Sequence, residues 1–194
     1  MIYIEDNFFK DPYKIRKIAL QQQYSKPISY PGLRSDNITG WIDDYILSRI
    51  RGIVNDPTLK VRSTRFQYIS EQFRDGIFHY DSADYIGIVY LSINPPVNTG
   101  TEVCDLDQVP DTLDTPKVIR LKESFHKDPS NLIKRYRYAR IRKKLNSYYN
   151  PIMRVPNKFN RIAMFPATYF HRAQNFFGTS LENSRLTLVS FFEK

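Results

Sequence analysis

Of the three histidines in the 194 residues, His79, His126 and His171, the first stands two positions before an aspartate in Phe78-His79-Tyr80-Asp81-Ser82. Successive side chains of an extended chain point to opposite faces, so His79 and Asp81 share one face and can grip a single metal ion. The flanks Gln67-Tyr68-Ile69 and Tyr85 to Leu91 are rich in β-branched and aromatic residues, which suits the extended form. A third ligand must then come from far along the chain. His171 follows the strand-like run Asn160 to Pro166, whereas His126 lies where no strand pattern is visible; it is expected at the surface and is the poorer donor. Two imidazoles and a carboxylate on adjoining strands form the facial set that holds non-heme Fe(II) and leaves neighbouring positions open.

A His-x-Asp pair is by itself a common hydrogen-bonded surface pair, so a second feature has to carry weight. The run Ser184 to Phe192 supplies it, alternating up to Ser190 so that Arg185, Thr187 and Val189 lie on one face and Leu186 and Leu188 on the other. An arginine interleaved with the buried face of a strand needs an anionic partner, because an unpaired buried guanidinium is costly. A ligand carboxylate can be that partner.

The ordered set Tyr68, His79-x-Asp81, Tyr90-Leu-Ser92, Asn160 to Phe165, His171-Arg-Ala173 and Arg185-x-Thr187 resembles the Fe(II)/2-oxoglutarate-dependent oxygenases, particularly the prolyl-hydroxylase-like branch. The likeness covers roughly residues 60 to 104 and 155 to 194. It implies that His79, Asp81 and His171 bind Fe(II), and that Arg185 holds the distal carboxylate of 2-oxoglutarate with help from Thr187, Tyr90 and Tyr68. It also implies hydroxylation of an unactivated C–H bond, with release of succinate and CO2. The fork of donors on an arginine matches a carboxylate bidentately, and hydroxyls add hydrogen bonds to the same group. The chain departs from the family pattern at Asn98 to Val103, a looser turn after the Tyr-Leu strand, and in a long spacer between His171 and Arg185.

The elements that must position these residues follow from pattern and composition. The length suits one domain over 1–194, and the 14 Tyr and 13 Phe favour a packed sheet over disorder. A lone cysteine, Cys104, cannot form an internal disulfide and reads as a small packed hydrophobe. No apolar run reaches membrane-spanning length, and the start Met1-Ile-Tyr-Ile-Glu-Asp-Asn7 lacks the basic and apolar regions of an export signal, so a cytoplasmic protein without a membrane partner is expected. Met1 to Phe9 reads as a strand, and Asp11-Pro12 opens a helix running to about Tyr24. The Pro/Gly-rich stretch 26–35 reads as a loop whose Tyr30 to Arg34 portion reaches the mouth of the site or simply connects. A second helix from Trp41 to Val54 carries Trp41, Tyr45, Ile46, Ile50 and Ile53 as a core stripe. Strands then occupy residues 60 to 103 and resume from Val155. The expected fold is α+β: a double-stranded β-helix, or jelly roll, buttressed by the N-terminal helices.

An insertion, about 105–157, interrupts the strands. It starts acidic and turns basic: from Lys117 to Lys158 there are thirteen Lys and Arg against Glu123 and Asp128, more than the whole of the chain's net +9. Residues 130–149 read as a helix with Tyr138, Ile141, Leu145 and Tyr148 or Tyr149 on its apolar side and Arg135, Arg137, Arg140, Lys143 and Lys144 around the rest. Such a face is a solvated surface or meets nucleic acid or an acidic partner. Three function classes therefore stand at this point. The first is an oxygenase acting on a protein or peptide side chain or a small metabolite. The second is a non-enzymatic jelly-roll module binding through the basic helix, and the third a cupin-like metal protein without the keto acid. The nucleic-acid repair branch of the oxygenases carries a second arginine six residues after the first, where this chain has Phe191.

Overall fold

A computed structural model describes residues 1–26, 31–104 and 116–194; the acidic start of the insertion and Tyr30 lie outside the described residues. Secondary structure runs β1 (Tyr3–Glu5), α1 (Pro12–Leu20), β2 (Tyr24–Ser25), β3 (Leu33–Ser35), α2 (Trp41–Val54), β4 (Lys60–Ile69), β5 (Tyr85–Tyr90) and β6 (Thr101–Cys104). It continues through α3 (Pro116–Lys127), α4 (Leu132–Asn146), β7 (Met153–Val155), β8 (Ile162–Pro166), β9 (Phe170–Ala173) and β10 (Arg185–Glu193).

The strands form two antiparallel sheets. The larger has the order β1-β8-β5-β10-β4-β3-β2 and the smaller β7-β6-β9, which the isolated bridge His79 to His171 extends by one position. From β4 onward the chain visits them in the order large, small (at His79), large, small, small, large, small, large. Segments distant in sequence therefore become spatial neighbours, and β10 ends up between β4 and β5.

Period-two patterning explains the layers. Leu186 and Leu188 of β10, with Phe66, Val89, Ile162 and Met164, cover one face of the large sheet and pack against Ile15 and Ala19 of α1 and Ile42, Ile46 and Ile50 of α2. The opposite face contributes Ile86, Ile88, Tyr90, Ala163, Phe165 and Val189, which meet Val103 and Val155 of the small sheet. The two sheets thus share one inner core, and α1 and α2 lie outside it. Asp11 caps α1 by accepting a hydrogen bond from the Lys14 amide at 3.0 Å, with Pro12 at the first helical position.

Several expectations need correction. The first helix stops at Leu20, because Tyr24 leaves to pair in β2, and the N-terminal strand spans only Tyr3–Glu5. Trp41 is not core: it is 52% exposed and carries Lys14 over its ring, since the buried stripe of α2 runs through Ile42, Ile46 and Ile50. The insertion holds two helices rather than one. α3 carries Val118, Leu121 and Phe125 at helical spacing, of which Val118 and Phe125 are buried. His126, expected at the surface, is fully buried between Phe73, Phe125 and Tyr138.

Candidate metal and anion site

The strand-like character of Phe78-His79-Tyr80 reduces to one bridge, but it is the bridge that matters. The His79 amide donates to the His171 carbonyl at 3.1 Å and the His171 amide to the His79 carbonyl at 2.8 Å, which sets the two residues directly opposite each other. The ring centroids are 4.5 Å apart. Two residues on, the Asp81 amide donates to the Ala167 carbonyl at 2.9 Å, and this keeps the segment extended and its carboxylate on the same side. Asp81 Oδ2 lies 3.3 Å from His171 Nε2 and 4.0 Å from His79 Nε2. One ligand atom from each of the three falls within 4.8 Å of the others, and no other such group of three occurs among the described residues.

The outer nitrogens fix the inner ones. His79 Nδ1 lies 2.9 Å from the Ile77 carbonyl and His171 Nδ1 2.9 Å from the Tyr169 carbonyl, each two residues back along its own strand. A carbonyl only accepts, so Nδ1 carries a proton in both rings and it is Nε2 of each that faces Asp81. The His79 side chain keeps 41% of its surface open to solvent. Even so, the surrounding protein, with the neighbouring His171, pushes its pKa below the ordinary value, so the ring is neutral at pH 7. Burial acts to raise the Asp81 carboxyl, but the contact with His171, the nearby His79 and the charge of Arg34 outweigh it and hold the group below the usual carboxylate value. Two imidazoles and an ionised carboxylate, converging, are the donor set of a divalent metal site with open positions.

Arg185 lies on the inner face of β10 and lines the same cavity as His79, Asp81 and His171. It is 2% exposed and makes no ion pair with any described carboxylate. Its Nε has no hydrogen-bond partner, one terminal nitrogen donates to Thr101 Oγ1 at a long 3.4 Å, and the guanidinium sits 5.6 Å from the Tyr90 ring centroid. Tyr90 donates to the same Thr101 hydroxyl at 2.7 Å. Burial lowers the Arg185 pKa, partly countered by Tyr90, and the group stays charged. A buried, charged fork whose donors are underused is a receptor for an oxyanion. Ile86, Ile88 and Val189 line the cavity between these polar groups.

The remaining sequence-predicted residues are distributed differently. Thr187 is buried on the inner face, opposite Tyr90 in the register, and its hydroxyl donates to the Gln67 carbonyl at 3.4 Å. Tyr68 does not line the cavity: it packs edge-on against Tyr24 at 5.1 Å on the helix-covered face, because residues 66 and 68 of β4 point outward and 67 and 69 inward. A cofactor-binding role does not fit that position. Gln67, one residue earlier, lines the cavity, as do Arg34 and Pro31, which bear out the mouthward course of this loop. Lys122 of α3 and Tyr138 of α4 close another side. These last two were not foreseen, since nothing in a basic helical insertion announces which of its residues turns toward a distant strand.

The basic residues of α4 do not form one patch. Arg137, Arg140 and Lys144 border a depression floored by Leu121, Leu132, Ile133, Tyr136 and Ile141, whereas Arg135 lines a separate one with Arg74 and Glu71. On the apolar side Tyr138, Leu145 and Tyr149 are buried and Tyr148 is exposed.

No protein-family model matches the sequence, and no curated protein matches it either. The fold does find counterparts among solved structures. HygX from Streptomyces hygroscopicus, solved with nickel and 2-oxoglutarate bound, is 12% identical with a TM-score of 0.59 over 99% of this chain and 82% of its own. SnoN, a non-heme alpha-ketoglutarate-dependent epimerase from nogalamycin biosynthesis, is 12% identical with a TM-score of 0.58 over 100% and 78%. A Pseudomonas putida prolyl-4-hydroxylase is 11% identical with a TM-score of 0.51 over 100% and 92%. The chain therefore shares its fold with solved 2-oxoglutarate/Fe(II) oxygenases, a prolyl hydroxylase among them.

Proposed function

We propose that this chain is an Fe(II)- and 2-oxoglutarate-dependent oxygenase on a double-stranded β-helix core, hydroxylating an unactivated C–H bond of a protein or peptide side chain or a small metabolite. The observation that carries the reading is the placing of Arg185. It is a buried guanidinium without an acidic partner among the described residues, in the same cavity as a convergent His79, Asp81 and His171. A metal site alone fits many proteins, and a buried arginine alone fits many cores. Together they suit a ligand that is anionic at one end and chelating at the other. The alternation of segments from β4 to β10 between two facing antiparallel sheets supports the jelly-roll description.

Bound together, Fe(II) and 2-oxoglutarate would supply the oxidising chemistry, with succinate and CO2 as co-products. The protein's part is positional. His79 and His171 present Nε2 in a fixed tautomer, Asp81 adds the charged donor, and three ligands leave the other coordination positions open. Arg185 orients the cosubstrate through its distal carboxylate, and Tyr90 and Thr101 hold the guanidinium in place. Ile86, Ile88 and Val189 keep water from the stretch between the two polar ends, which strengthens both electrostatic contacts.

Anaerobic protein loaded with Fe(II) and 2-oxoglutarate is expected to show a weak visible charge-transfer band, which Asp81→Ala abolishes. Folded wild-type protein that shows no band, and forms no succinate with iron present, refutes the reading.

A further inference from the structure

The inner face of β4 breaks the pattern of a core strand. Where a buried strand next to β10 would place apolar side chains, β4 places Ser63, Arg65 and Gln67, opposite Phe191, Val189 and Thr187 in the register. Arg34 of β3 pairs with Gln67 and so joins the same face. The Arg65 guanidinium is exposed and has no hydrogen bond or ion pair among the described residues. One more cation arrives through an irregularity: Phe191 pairs with Ser63 and Phe192 with Val61, so Arg62 is the extra residue of a bulge. A bulge re-aims the side chain it displaces. Here Arg62 turns to Ser82, donating to its carbonyl and, at 3.3 Å, to its hydroxyl. That places Arg62 beside the residue after Asp81.

These groups line an open groove that shares Arg34, Asp81 and Phe191 with the metal cavity. Three guanidiniums (Arg34, Arg62, Arg65) and three hydroxyls (Ser25, Ser63, Ser82) face it. Its one acid among the described residues is Asp81, which the metal reading commits to coordination. The groove is thus a strongly cationic, hydroxyl-rich channel that opens onto the metal site from a side away from Arg185.

We propose that this groove binds a phosphate monoester group of the substrate, with Arg62 and Arg65 as specificity-determining residues that set the reacting part of the molecule at the metal. The proposal rests on the oxygenase reading for the word substrate, but the anion site stands on its own geometry. A phosphate monoester fits better than a carboxylate because it carries close to two charges and three strong acceptor oxygens, matching several guanidiniums and hydroxyls at once.

Calorimetric titration of the full chain with phenyl phosphate, benzoate and 2-oxoglutarate tests this. Phenyl phosphate is expected to bind wild type more tightly than benzoate does and to bind together with 2-oxoglutarate. Arg62→Ala/Arg65→Ala should weaken phenyl phosphate by about tenfold or more, the loss of at least one charge-assisted hydrogen bond, while 2-oxoglutarate binding and melting temperature stay as in wild type. Arg185→Ala should do the reverse. The proposal is overturned if wild type does not bind phenyl phosphate, if benzoate binds as well, or if phenyl phosphate and 2-oxoglutarate exclude each other. It is equally overturned if Arg185→Ala removes phenyl phosphate while the double variant keeps it. Failure of 2-oxoglutarate to bind, with phenyl phosphate binding intact, would instead count against the oxygenase reading alone.

Discussion

Arg172 donates through Nε to the buried carboxylate of Glu102 at 2.6 Å, across the β6 to β9 pairing, and the residue before it is the metal-facing His171. Its other arm reaches Asp75 at 2.9 Å, and Glu102 also takes hydrogen bonds from Arg154 and Gln174. Strands β6, β7 and β9 are therefore tied at one carboxylate that is 2% exposed. Removing one partner of such a network strands the other charges. Glu102→Ala is expected to lower unfolding free energy by about 3–5 kcal/mol, read by urea denaturation. Because His171 rides on β9, Fe(II) affinity should fall as well, whereas Glu102→Gln should recover part of both.

Arg185→Ala should leave divalent metal binding close to wild type and weaken 2-oxoglutarate about a hundredfold or more, since two hydrogen bonds from a charged donor at about 1.5–3 kcal/mol each are lost. Parallel titrations with Ni(II) and with 2-oxoglutarate separate the two effects. Equal loss of both would mean that Arg185 holds the fold and not the cosubstrate.

Asp6 is held to about pH 2 by hydrogen bonds from Arg161 and Lys158, below its ordinary value near 3.8. A lowered carboxyl pKa stabilises the fold fully above the unfolded value and loses that contribution as pH falls through the folded one. Asp6→Asn should therefore reduce the melting temperature at pH 7, and the gap from wild type should narrow between pH 4 and pH 2. Partial solvent exposure keeps the effect modest.

Gly100 sits just before β6, where an added Cβ would meet the backbone carbonyl of Val155. No side-chain rotation relieves a clash with backbone. Gly100→Ala is expected to push β7 from β6 and to cost about 1–3 kcal/mol or more, checked by thermal melts. Gly52, with nothing near its Cβ direction, provides the contrast: Gly52→Ala in α2 should be neutral or mildly stabilising.

The parts of the molecule legible in the sequence were those governed by period and local chemistry. His79 and Asp81 share a face because they are two apart, Arg185 shows itself by interrupting an apolar alternation, and Asp11-Pro12 announces α1. Tyr68 was misjudged because a strand's period tells which residues share a face but not which face turns inward; that depends on where α1 and α2 dock. His126 is buried by aromatics that come from the turn after β4, at Phe73, and from α4, at Tyr138, while Trp41 sits one position off the Ile42-Ile46-Ile50 stripe that α2 turns to the core. Glu102 and Arg62 were invisible for different reasons. Glu102's role comes from three strands meeting, and Arg62's from a bulge that only the pairing of β4 with β10 reveals.

The central position of β10 also bears on how the chain reaches this state. The other strands of the described residues precede it in the chain, so until it inserts, β4 and β5 each present an open backbone edge toward the other and Arg185 is missing from the cavity. Assembly must wait on a contact between remote segments, which favours slow folding and exposes two adhesive edges to other copies meanwhile. Ligands that span the metal and Arg185 would bridge the last-arriving strand to the earlier ones, and should act as refolding aids as well as reactants.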